Sequence, residues 1–328
     1  MGFGYKLTGF DYMRLYKCGY LWSMKIVVTG SLGNISKPLS IALIKKGHSV
    51  TVISSNLAKQ VEIEQLGAKA QIGSLTDTQF VIAAFTGADA VYCMTPFDFS
   101  VADQDAHMKQ IIANYVKAIQ HAGIRKVILL TGWAAEVAGH SMTEVYKQLA
   151  DVNVSELRPA IFYTNFYQMM DLMRGKGLMG LVMGLQAYGI RALFGRRGLL
   201  LGNYGGDDRI VLVAPADIAA AAVEEFESPV TGVKIRYVGS DELSCNEAAA
   251  ALGAAIGKPW MKWLRITDKQ MLQGYKMAGL PEGLAAGMVK MQAAIHDGTV
   301  LAQYDRHKPV LGKVKVKDFA REFAKRYI

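Results

Sequence analysis

A doubly wound α/β fold on a parallel sheet is what this sequence predicts, and three observations predict it. From Lys25 onward, short β-branched runs alternate with helical patterns. Glycines close those helices one after another. The first strand also runs straight into a glycine-spaced turn and a helical pattern, KIVVTGSLGNISKPLS at 25–40. Strands separated by helix-length segments pair in parallel, because each return to the same sheet needs a crossover, and that crossover is right-handed.

The strands, in order, are KIVVT at 25–29, SVTVI at 49–53, AKAQI at 68–72, DAVYCM at 89–94, KVILLT at 126–131 and VSEL at 154–157. Helical spacing fills the intervals over 36–46, 57–66, 77–86, 103–122 and 141–150. Gly47, Gly67, Gly87 and Gly123 fall at or just past helix ends, where a left-handed residue stops the helix. After about residue 160 the pattern changes. Residues 171–206 are rich in Gly, Leu and Met and carry Arg174, Lys176, Arg191, Arg196 and Arg197, and no clean strand returns until RIVLV at 209–213. A helix from Pro215, the strand KIRYVG and further helices follow. The uncharged stretch from Gly177 to Ile190 is 14 residues long and broken by glycines, too short to span a bilayer core of about 30 Å. Two readings of it stand: a lid over a pocket, or an amphipathic surface helix touching anionic lipid.

The chain of 328 residues is 51% hydrophobic, enough for a substantial core. Cys18, Cys93 and Cys245 lie far apart, without metal-ligand spacing or a disulfide framework, so a reducing, cytoplasmic setting is expected and no metal site is. The net charge of +9 comes from scattered residues, which points to small anionic ligands and away from nucleic acid. Residues 1–23 hold aromatics and glycines without periodicity and lack a signal peptide's apolar core. They read as a leader or upstream-start extension outside the core, with a segment that packs on a partner or a membrane surface as the weaker alternative.

The turn TGSLGNIS meets two demands of a bound pyrophosphate. Gly30 turns the chain sharply out of the strand, and Gly33 lets backbone approach the phosphates at a helix N-terminus. Where a dinucleotide fingerprint carries its third glycine stands Ser36, a small residue at a position that serves helix-on-strand packing and a candidate cap for the helix. The end of the second strand, VISSNLAKQ, has no Asp or Glu to grip a ribose 2'-hydroxyl. Ser54, Ser55, Asn56 and Lys59, with Lys37 at the loop's mouth, suit a 2'-phosphate better. NADP(H) is therefore favoured over NAD(H).

These stretches, with GSLTDTQFVIAAFTGADAVYCMTP, HAGIRKVILLTG, SELRPAIFYTNF, PADIAAAA and VKDFAREFA, make the chain from Met24 onward resemble the NmrA-like family of atypical short-chain dehydrogenases/reductases. That group includes NADPH-dependent quinone reductases and redox-sensing regulators. The resemblance implies a Rossmann core over 24–160. It also implies a lid and small C-terminal substrate-binding region over 161–328, with a late strand returning to the sheet and the cofactor in the cleft between. It carries cofactor contacts onto Gly30, Leu32, Gly33, Asn34 and Ile35, and onto Ser55 and Asn56. The family's Gly-Asp-Leu reads here Gly73-Ser74-Leu75, a departure at Ser74 that leaves Ser74 and Leu75 beside the adenine. Met94, Thr95 and Pro96 would line the nicotinamide-ribose side, and Thr131 and Gly132 the reacting face. Trp133, Tyr163 and Asn165 would meet the substrate.

The Tyr-x-x-x-Lys pair of the wider superfamily is absent, since four residues after Tyr146 stands Ala150. The resemblance places His140 and Glu144, one helical turn apart, where many members carry a His or Lys followed by a Glu. A His beside a carboxylate can relay protons near neutral pH; the plain alternative is a loop histidine and a helix-start carboxylate. The expected activity is hydride transfer from NADPH to a small quinone-like or carbonyl substrate. The alternatives are a non-catalytic NAD(P)-binding redox sensor acting through a protein partner, and a degenerate fold kept for interaction. A homodimer is left open.

Overall fold

The computed structural model describes residues 23–98, 101, 103–135, 145, 148–149, 151–229 and 231–327. Six β-branched runs become the strands β1 (Lys25–Val28), β2 (Ser49–Ser54), β3 (Lys69–Ile72), β4 (Ala90–Met94), β5 (Lys126–Leu130) and β6 (Asn153–Pro159). Between them lie α1 (Ser36–Lys45), α2 (Gln60–Gln65), α3 (Thr78–Phe85) and α4 (Gln104–Ala122). Local chemistry sets the ends. Asp77 accepts from the N–H groups of Gln79 and Phe80 to start α3, and Gly123, at φ +65°, stops α4. The expected helix over 57–66 divides. The Asn56 side chain accepts from the Ala58 N–H and tightens Leu57–Lys59 into a 3₁₀ turn ahead of α2. The helix expected over 141–150 falls largely outside the described residues.

Beyond β6 come β7 (Ile161–Phe162), a 3₁₀ segment (Tyr163–Met169), α5 (Met170–Arg174), α6 (Gly177–Tyr188), a second 3₁₀ segment (Gly189–Phe194), β8 (Leu200–Gly202) and β9 (Arg209–Val213). Then follow α7 (Pro215–Glu227), β10 (Val233–Val238), β11 (Asp241–Ser244), α8 (Cys245–Ala255) and β12 (Trp263–Arg265). The last elements are α9 (Asp268–Met277), α10 (Glu282–His296), α11 (Thr299–Arg306) and α12 (Val316–Tyr327).

Seven strands form one parallel sheet in the order β10-β6-β5-β4-β1-β2-β3. This is the Rossmann-type doubly wound α/β arrangement. Both faces of β1 and β4 are buried: Ile26, Val28 and Tyr92 pack with Leu39 and Leu43 of α1, while Val27, Val91 and Cys93 pack with Phe85 of α3 and Tyr115 of α4. The strand order reverses between β1 and β4, so the crevice at their carboxyl ends is where such a sheet takes a ligand. Short strands build the remainder: β11-β9-β7 and β12-β8. On that side α12 closes the core, with Phe319 stacked on Tyr163 at 5.1 Å and Phe323 on Tyr167 at 5.5 Å.

Candidate dinucleotide site

The loop after β1 is held by more than its glycines. Gly30 has φ +91°, and the next residue, Ser31, takes φ +55° without being a glycine. Ser31 is fixed there from two directions: its N–H donates to the Ile53 carbonyl at 3.0 Å, and its hydroxyl donates to Ser54 Oγ at 2.9 Å. Those bonds tie the loop to the end of β2. Gly33 closes the turn by donating its N–H to the Gly30 carbonyl at 3.1 Å.

Ser36 does not cap α1. It is the first residue of the helix, is buried, and donates its hydroxyl to the Thr29 carbonyl at 2.8 Å. A Cβ on Gly30 would come within 2.7 Å of that Oγ and 2.9 Å of Met94 Cγ. The fingerprint's third glycine is thus replaced by a side chain that pins helix to strand, and Gly30 supplies the room. The sequence shows the small residue but not its partner, because Thr29 and Ser36, seven residues apart, meet only through the turn between them.

The start of α1 suits an anion. It has no side-chain cap and no acid in its first turn. Among the described residues, the N–H groups of Leu32, Asn34 and Ile35 find no protein acceptor. Such donors, aligned at a helix N-terminus beside glycines, are what a pyrophosphate needs. Leu32 is half-buried, Gly33 and Asn34 are exposed, and Ile35 anchors the turn in the core.

The other cofactor candidates follow strands whose carboxyl ends share this edge. After β2, Ser54 is buried and accepts from the Asn56 N–H at 3.1 Å, leaving Ser55 and Asn56 exposed. Lys59 bonds Glu62 at 2.9 Å, and Lys37 reaches the other oxygen of the same carboxylate at 2.8 Å. Hydrogen bonds from the two lysines hold the Glu62 carboxyl down to about 2. Sequence reading missed Glu62, because α2 and α1 meet only in the fold. After β3, the Gly73 N–H donates to the Ser54 carbonyl. The Ser74 hydroxyl accepts from the Thr76 N–H at 3.2 Å and lies 2.7 Å from the Thr76 hydroxyl, an ordinary turn where the family pattern has its acid.

After β4, Met94 packs beside Gly30, its N–H donates to the Thr29 hydroxyl at 2.9 Å, and its carbonyl accepts from Tyr115 at 2.8 Å. Thr95 and Pro96 continue half-exposed from there. After β5, the Thr131 hydroxyl donates to Glu156 at 2.7 Å. Glu156 is fully buried and pairs with buried Arg158 at 3.0 Å, whose guanidinium also donates to Tyr237 at 3.2 Å. This charged pair, hidden in the alternation of SELRP, braces Thr131 and Gly132 from behind.

The expected substrate residues separate. Trp133 is buried, edge-on to Tyr304 at 6.2 Å. Tyr163 is corrected to a core residue: it is fully buried, stacked on Phe319, and donates its hydroxyl to the Val314 carbonyl at 3.3 Å. Its aromatic body outweighed the need to present a hydroxyl. Asn165 is exposed on the 3₁₀ segment. His140 and Glu144 lie outside the described residues, as do Tyr146 and Ala150.

A parallel sheet with this loop at its switch point defines a Rossmann-type dinucleotide-binding protein. Residues 30–178 match the family described as NAD(P)H-binding. It is 26% identical over 308 residues to an NAD(P)H azoreductase of Xenophilus azovorans, covering 92% of this chain and 96% of that protein. Two solved structures share the fold. The NADPH-dependent quinone oxidoreductase QOR2 of Escherichia coli, complexed with NADPH, has a TM-score of 0.70 at 17% identity over 91% of this chain and 99% of that one. The Citrobacter sp. triphenylmethane reductase, complexed with NADP(H), has 0.68 at 19%, again over 91% and 99%. The fold is also shared with a solved mutant of NmrA, at a TM-score of 0.62 and 14% identity over 92% of this chain and 91% of that one.

Proposed function

We propose that this protein is an NADPH-preferring reductase that passes hydride to a flat, conjugated acceptor of the quinone or azo type. The observation that carries it is the uncapped α1 start with its unpaired N–H donors, beside a β2 end that offers Ser55 and Asn56 and has no acid of its own, with Lys37 of α1 and Lys59 held nearby on Glu62. The named activities of the azoreductase, quinone oxidoreductase and dye reductase support the acceptor class.

In this reading Leu32, Gly33, Asn34 and Ile35 hold the pyrophosphate through backbone. Ser74 and Leu75 border the adenine; Met94, Thr95 and Pro96 border the nicotinamide ribose. Thr131 and Gly132, with Trp133 behind, flank the reacting face, and Asn165 meets the substrate. When bound, the cofactor supplies the hydride; the protein supplies orientation and an apolar wall. His140, with Glu144, is the proton source where the acceptor needs one. Residues 24–160 form the cofactor half and 161–328 the substrate half.

The missing Tyr-x-x-x-Lys pair favours a second reading, a redox sensor that binds the dinucleotide without turnover. Calorimetric titration with NADPH and with NADH, followed by NADPH oxidation in the presence of a quinone or an azo dye, separates the two. Tight NADPH binding with turnover is the expected result. Binding without turnover leaves the sensor, and no binding of either cofactor overturns both. As a control, Gly33→Val, whose side chain would start 3.0 Å from the Gly30 carbonyl oxygen, should fold and lose the dinucleotide. Retained affinity would move the site elsewhere.

A further inference from the structure

The lobe over 175–198 is built inside out. On α6, Gly180 and Gly184 face inward, where a Cβ on Gly180 would come within 2.2 Å of Gly175 backbone and one on Gly184 within 3.2 Å of Ala192 Cβ. The large apolar residues face water instead: Leu178, Val182 and Leu185 recur at helical spacing on the outer side. The 3₁₀ segment repeats the arrangement with Ala192 buried and Ile190, Leu193 and Phe194 exposed, Phe194 to 81% and Leu178 to 78%. Six of the twelve large exposed apolar side chains among the described residues therefore fall within residues 178–194. A helix that serves only a water-soluble core shows the reverse pattern.

The surface is firmly mounted. The Tyr188 hydroxyl donates to the Gly198 carbonyl at 2.8 Å, Arg197 donates to the Ala192 carbonyl at 2.9 Å, and Lys258 donates to the Met173 and Arg174 carbonyls at 2.7 and 2.8 Å. Along this stretch of chain the charge has one sign once past Asp171, which pairs with Arg174. Residues 172–206 contain five basic residues and no acid. Lys176, Arg191 and Arg196 are exposed, have no carboxylate within ion-pair distance among the described residues, and Arg196 rests over the Trp260 ring at 5.9 Å. A second copy would bring this patch against its own like charges in a twofold interface. Anionic headgroups over acyl chains match both the apolar face and its cationic border.

We propose that α6 and the following 3₁₀ segment form a monotopic docking surface for an anionic membrane, with Leu178, Val182, Leu185, Ile190, Leu193 and Phe194 entering the headgroup–acyl boundary and Lys176, Arg191 and Arg196 meeting lipid phosphates. No helix among the described residues is long and apolar enough to cross the membrane, so the contact is peripheral. It goes beyond the reductase reading, and stands or falls without it.

The test is co-sedimentation of the full chain with vesicles of phosphatidylcholine alone and of phosphatidylcholine with phosphatidylglycerol, at low and high ionic strength. Wild type is expected to bind the anionic vesicles at low salt and release at high salt. Leu193→Ser/Phe194→Ser should weaken the partition about tenfold or more, and Lys176→Glu/Arg191→Glu should abolish the preference for anionic lipid. All four positions are exposed, and unchanged NADPH affinity certifies that each variant is folded, or, for a protein that binds no dinucleotide, an unchanged urea midpoint does. Absence of binding to anionic vesicles, or binding indifferent to both variants, overturns the proposal. So does a wild-type dimer in sedimentation that Leu193→Ser/Phe194→Ser converts to monomer, since a second copy would then be what covers the face.

Discussion

Gly30→Ala tests how the cofactor loop is built. The new methyl would lie 2.7 Å from Ser36 Oγ and 2.9 Å from Met94 Cγ, at a residue whose φ is +91°. A left-handed backbone costs a non-glycine residue about 1–2 kcal/mol, and forcing a methyl into a filled space costs about 1–3 kcal/mol. The single variant should therefore lose about 2–5 kcal/mol in urea unfolding followed by tryptophan fluorescence, which leaves a protein of ordinary stability folded. Ser36→Ala alone should lose about 1 kcal/mol, the worth of its buried hydrogen bond to Thr29. In the Gly30→Ala background the hydroxyl is already displaced, so the second substitution should cost nothing or restore stability, a favourable coupling of about 1–2 kcal/mol. Additivity within about 0.5 kcal/mol would refute the contact and with it the account of Ser36 as the substitute for a third glycine.

Three further outcomes are expected. Ser55→Asp, on the exposed end of β2, should shift preference from NADPH towards NADH in calorimetric titration; an unaltered ratio would put the 2'-phosphate elsewhere. Glu62→Gln should tighten NADPH relative to NADH, because it releases Lys37 and Lys59 from the carboxylate they share, and an unchanged ratio of dissociation constants would show that neither lysine meets the phosphate. Burial pulls the Lys126 ammonium from 10.5 down to about 8, although it donates to the Ser228 carbonyl at 2.7 Å. Between those two values the unfolded chain binds more protons, so stability rises with pH. The stability of wild type minus that of Lys126→Met should rise from pH 8 to 10, and a flat difference would contradict the burial.

Much of the fold was legible because the sheet imposes local rules. Each of the six strands expected up to residue 157 appears within two residues of its expected bounds: the central β1 and β4 are buried on both faces and so read as apolar runs, while the edge strand β3, KAQI, is placed by the glycine stops and helices on either side of it. The glycines after α1, α2 and α3 take φ of +87°, +87° and +79° for the same reason that made them readable as stops. The short strands β7, β8, β11 and β12 were not legible: two to four residues carry no period, and their pairing is decided by partners far along the chain. At the candidate site the glycines and the acid-free β2 end could be read directly. The left-handed Ser31, the Ser36–Thr29 bond, the Lys37–Glu62–Lys59 cluster and the Glu156–Arg158 pair could not, because each depends on a neighbour that only the folded sheet brings close. Tyr163 misled for a related reason. A tyrosine after a strand reads equally as a presented hydroxyl or a buried ring, and Phe319, more than a hundred and fifty residues away, settles it.

That dependence on α12 has a consequence for how the molecule is made. The strands from β1 to β6 are complete by Pro159, whereas Phe319 and Phe323, which cover Tyr163 and Tyr167, are synthesised far later. At ordinary ribosomal speeds the interval is on the order of ten seconds or more. Throughout it the nascent chain holds a nearly finished nucleotide-binding half beside an uncovered cluster of aromatic rings, a surface suited to chaperone capture until the final helix arrives.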